Sequence, residues 1–72
     1  MATNNTAATA ADFTRWALNA SKMTSAQLQW SAADAREAAE AVESYAPTQA
    51  GKYLDEAMTY EQELKTRDEG AE

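Results

Sequence analysis

Leu28, Ala32, Ala35, Ala39 and Val42 recur in alternating steps of four and three residues, which places all five along one narrow side of a helix. Thr24 stands just ahead of this run as a suitable N-cap. Gln27 follows three residues later, where its amide reaches back to complete a capping box. The pattern predicts a helix over 24–45. Pro47 has no amide hydrogen and biases Ala46 away from helical geometry, so the helix must end by that point. Beyond it Ala50, Tyr53, Leu54, Ala57, Met58, Tyr60 and Leu64 fill a broad apolar arc, with Asp55, Glu56, Thr59 and Glu63 on the other side; a second long helix is predicted over 48–67. Glu61–Lys65 and Glu63–Arg67 have the favourable i,i+4 order on that helix. Upstream, Phe13, Trp16, Ala17, Ala20 and Met23 share one face of a shorter helix expected over 9–23. Residues 1–8 read as a loose polar arm and residues 68–72 as an acidic, frayed tail.

These elements predict an all-α protein: an antiparallel helical hairpin with an additional short N-terminal helix, closing either as a three-helix bundle or as a helical oligomer. The seam is lined with alanine, which lets two backbones approach closely but buries little area per residue. Gly51, in the first turn of the last helix, is expected to permit a close backbone contact. With 72 residues, no cysteine and no histidine, neither a disulfide nor a zinc site of the usual kind is available as a staple. Efficient packing or association must supply what they would. One valine and no isoleucine argue against strands.

Charge narrows the partners. The net charge is −6, and eleven of the twelve acids fall in residues 31–72, against Arg36, Lys52, Lys65 and Arg67. Direct binding to a phosphate backbone or an anionic membrane requires the opposite sign. A helix-turn-helix reading of 9–45 fails for the same reason, because its recognition helix would carry Asp34, Glu37, Glu40 and Glu43. No stretch approaches the roughly 20 apolar residues of a membrane span, and the polar N-terminus lacks a secretory pattern. A cytoplasmic protein is the expectation.

No catalytic, cofactor-binding or metal-binding set stands out. The carboxylates read as solvated faces, and di-metal bundles need histidines that are absent here. Trp30, about 200° around its helix from Leu28, serves either the core or a partner, and neighbours Asp34 and Tyr45. Glu61 falls inside the apolar arc of the last helix. It is expected to reach Lys65 at a rim, or to find a specific cation on Arg15, Lys22 or another protein. Trp30, Tyr45, Tyr53, Tyr60, Asp34, Glu37 and Glu61 are therefore the candidate partner-binding residues.

Ala50-Gly51-Lys52-Tyr53, then Asp55-Glu56, Thr59-Tyr60, Glu63-Leu64 and Arg67, preceded by Asp34-Ala35-Arg36, resembles a pattern in small acidic bacteriophage-encoded helical proteins of unassigned function. The resemblance covers roughly 28–67. It implies a phage or prophage origin, with residence in the host cytoplasm or the virion, but brings no activity. The expected function is a non-enzymatic protein–protein interaction module, acting by homo-oligomerisation or by docking on a protein partner. One alternative is an acidic inhibitor, of the anti-defence or nucleic-acid-mimic type, that occupies a basic groove of a nucleic-acid-binding protein. The other is a small virion structural component.

Overall fold

A computed structural model describes residues 7–70. Three α-helices account for nearly all of them, and no strand occurs among the described residues: α1 spans Ala10–Lys22, α2 Ser25–Val42 and α3 Pro47–Gly70. Most of the loose arm expected over 1–8, and the last two residues of the expected tail, lie outside the described residues. Ala8 does not hang free but packs on the edge of the core. The last helix continues to Gly70, past the end expected at 67.

The helix boundaries follow from local chemistry. The capping box at Thr24 forms as expected: the Thr24 hydroxyl accepts from the Gln27 amide at 3.1 Å, and the Gln27 side chain accepts from the Thr24 amide at 2.8 Å. A second box, not anticipated, starts α1, where Thr9 and Asp12 exchange the same two bonds at 3.2 and 3.0 Å. Between α2 and α3 a turn spans 43–45, and the Ala46 amide makes one last helical bond to the Val42 carbonyl at 2.7 Å before Pro47. Pro47 opens α3, where its missing N–H costs nothing because the first helical amides have no intrahelical acceptor.

α2 packs along α3, and α1 lies mainly against α3. Leu28, Ala32, Ala35 and Ala39 are buried on α2, as the four–three alternation predicts, and Val42 is half-buried. Ala50, Ala57 and Tyr60 are buried on α3. Near the end of α3 the Arg67 guanidinium reaches the Ser25 hydroxyl at the first turn of α2, at 3.3 Å. Midway along the same pair of helices Arg36 meets Glu61. Trp16 and Ala20 carry the core across to α1 and join Leu28, Ala32, Ala35, Ala57 and Tyr60 in one cluster.

Three expectations change. The apolar arc of α3 is narrower than the sequence suggests: Leu54 and Met58 are exposed, because the slim alanine seam of α2 covers only the middle of the arc. α1 closes over one edge of that arc, with Trp16 and Ala20 in the cluster of Ala57 and Tyr60, and Lys52 and Arg67 from the polar side of α3 also make contacts to it. Gly51 has nothing within 4 Å of the position a Cβ would take, so it mediates no close approach.

Candidate functional site

The aromatic rings range from buried to fully outside the core. Trp16 is buried and receives the ring of Phe13 edge-on, with centroids 5.3 Å apart at 80°. Tyr60, a candidate for partner binding, is buried at 6 % exposure and donates its hydroxyl to the Glu56 carboxylate at 2.6 Å. Burial, then the bond to Glu56, pushes the phenol pKa well above its ordinary value. Tyr60 is therefore a packing residue with no face to offer, a correction forced by α1 closing over that side of α3. Tyr53 is half-buried.

Glu61 also changes role. Its carboxylate receives two bonds from the Arg36 guanidinium, at 2.7 and 2.9 Å, a bidentate bridge between α3 and α2. Neither Lys65 nor a cation of α1 takes that place. The bond from Arg36 holds the Glu61 carboxyl below the usual range and raises the Arg36 guanidinium in turn. Most of the chain's other cations are spent in the same way. Arg15 and Lys52 converge on Asp12 at 2.9 and 3.7 Å. Asp12 itself is buried, and its carboxyl is held low first by the Thr9 amide, then by the Thr9 hydroxyl and the two cations. Arg67 binds Glu63 at 3.0 Å while donating to the Ala20 carbonyl at 3.0 Å, so it closes the last turn of α1 and ties the α1–α2 break to α3. Sequence reasoning found the Glu63–Arg67 pair but neither of the tertiary roles, since nothing in the local spacing points across 47 residues.

The far side of α2 stays outside the core. Trp30 is 74 % exposed and Tyr45 66 % exposed, which settles the first as no part of the protomer core. Asp34 and Glu37 are exposed too, one and two turns beyond Trp30 on the same side, and make no ion pair among the described residues. Ala26, Gln27 and Ser31 form a shallow, mainly apolar hollow against the Trp30 indole. Tyr45 is exposed in the turn past the end of α2, where its amide donates to the Val42 carbonyl at 3.2 Å. Of the seven candidate residues, Trp30, Asp34 and Glu37 share one exposed strip of α2 and Tyr45 is exposed past its end, whereas Tyr53 and Glu61 are half-buried on α3 and Tyr60 is buried there.

A second open surface was not foreseen. α1 and α3 leave a groove of about 360 Å³ walled by Phe13, Ala17 and Met58, with Asp55 and Glu63 on its polar side. The 42 % exposure of Phe13 and 58 % of Met58 are its signature. Among the described residues, no three acidic side chains gather in a way that could hold a metal ion, and no helix is long and apolar enough to cross a membrane. Comparison with family models, curated proteins and solved structures gives no match to this chain.

Proposed function

We propose that this protein is a non-enzymatic interaction module: an antiparallel α2–α3 hairpin, braced by α1, that displays the outer side of α2 to another protein. The contacts of Arg67 with Ser25 and of Arg36 with Glu61 support the hairpin, because residues late in α3 meet residues early in α2. The single observation that carries the function is the disposition of the large side chains. A chain poor in bulky apolar residues fills its seam with alanine and yet leaves Trp30 74 % exposed and Tyr45 66 % exposed. Burying a tryptophan is worth a few kcal/mol, so a fold that needed more core would have used that ring. Tryptophan and tyrosine are also the side chains that dominate binding energy at interfaces.

The test is site-specific photo-crosslinking in the native cell. A photoreactive residue at Ala33, one turn from Trp30, is expected to give discrete products that vanish in Trp30→Ala. The same group at Ala11, on the exposed side of α1, is expected to give none. Equal labelling from both positions, or silence at Ala33, contradicts the assignment.

A further inference from the structure

The partner's chemistry can be read from what the strip lacks. Six cations exist in the chain: Arg15, Lys22, Arg36, Lys52, Lys65 and Arg67. Arg15, Arg36, Lys52 and Arg67 are already held by Asp12, Glu61 and Glu63 within the protomer. Among the described residues only Lys22 and Lys65 remain without an ion pair, one at the end of α1 and one on α3, so they form no row. Asp34 and Glu37, by contrast, stand exposed on the side of an exposed indole and make no ion pair among the described residues. Two copies joined strip to strip would bring these carboxylates to a face that offers them no cation, with a net charge of −6 on each chain adding repulsion.

Resting on the reading of α2 as a docking face, we infer that its occupant is a basic segment of a different protein, not a second copy. That segment seats an apolar side chain in the hollow formed by Ala26, Gln27, Trp30 and Ser31, and places arginine or lysine one to two turns further along. The geometry suits such a cation twice. Its aliphatic stem lies over the face of Trp30, where the ring quadrupole attracts the charged end. The head group then meets Asp34, about 6 Å along the helix axis from Trp30, or Glu37, about 10 Å along it. Arginine fits better than lysine, because its planar group stacks on the indole and still offers donors to a carboxylate.

The experiment is selection of a random peptide display library, with inserts long enough for three helical turns, on the full chain at low salt. Selected peptides are then rebound to Trp30→Ala and to the double variant Asp34→Asn/Glu37→Gln. Both changes are at exposed positions, and thermal melts confirm that the variants fold. The expected outcome is enrichment of peptides with an apolar residue followed within two turns by arginine or lysine. Their binding should fall roughly tenfold or more in either variant and weaken as salt rises. Trp30-dependent peptides that are neutral or acidic would overturn the basic partner while leaving the docking face standing. A library that yields no Trp30-dependent binder would overturn both. Homodimers crosslinked through Ala33 would likewise replace the foreign partner with a second copy.

Discussion

Asp12 and Glu61 are the carboxylates through which pH acts on this fold. Both have pKa values lowered in the folded chain, Asp12 chiefly by the Thr9 amide and Glu61 chiefly by the Arg36 guanidinium. As pH falls through the ordinary carboxylate range near about 4, the unfolded chain takes up protons first. The stabilisation is thus complete above that range and lost as pH drops through the lowered folded-state values. Urea midpoints measured against pH should fall on the acid side, and Asp12→Asn or Glu61→Gln should flatten that fall. An acid limb unchanged in both variants would mean that neither pair matters. These roles also mark where the sequence is mute. Asp12 follows Thr9 by three residues, so its capping box was available to inspection. The Lys52 contact and the Arg36–Glu61 bridge were not, because they depend on the register at which separate helices meet.

At the scale of the helices, legibility tracks how local the cause is. The α2 seam and the Thr24 cap were readable because periodicity and capping are set within a few residues. The side of α3 that α1 covers was not, since hydrophobic spacing assigns Tyr60 to the same arc as Leu54 and Met58, and only the tertiary arrangement separates them. Two substitutions test the packing. Ala57 is fully buried in the seam, so Ala57→Leu should destabilise by about 1–3 kcal/mol through overpacking, read from urea unfolding. Gly51 is helical, has no positive φ, and has open space where a Cβ would go. Gly51→Ala should therefore raise stability by about 0.5–1 kcal/mol. A loss at that position would mean that a neighbour approaches the glycine after all.

Residues 7–70 form a rod of 48 × 22 × 15 Å rather than a ball, and that shape follows from their composition. Alanine packing joins helices along their length but offers little bulk to gather around, so surface stays high and large side chains are left on it. Trp16 and Trp30 divide the two consequences between them: one ring completes the core at 4 % exposure and the other stands outside it at 74 %. The most direct test is urea unfolding of Trp16→Ala and Trp30→Ala, each compared with the parent chain. The division of roles predicts a loss of about 3–5 kcal/mol for the first and a change within about 0.5 kcal/mol for the second. A Trp30→Ala protein as destabilised as Trp16→Ala would contradict it, because the outer ring would then belong to the fold and not to a partner.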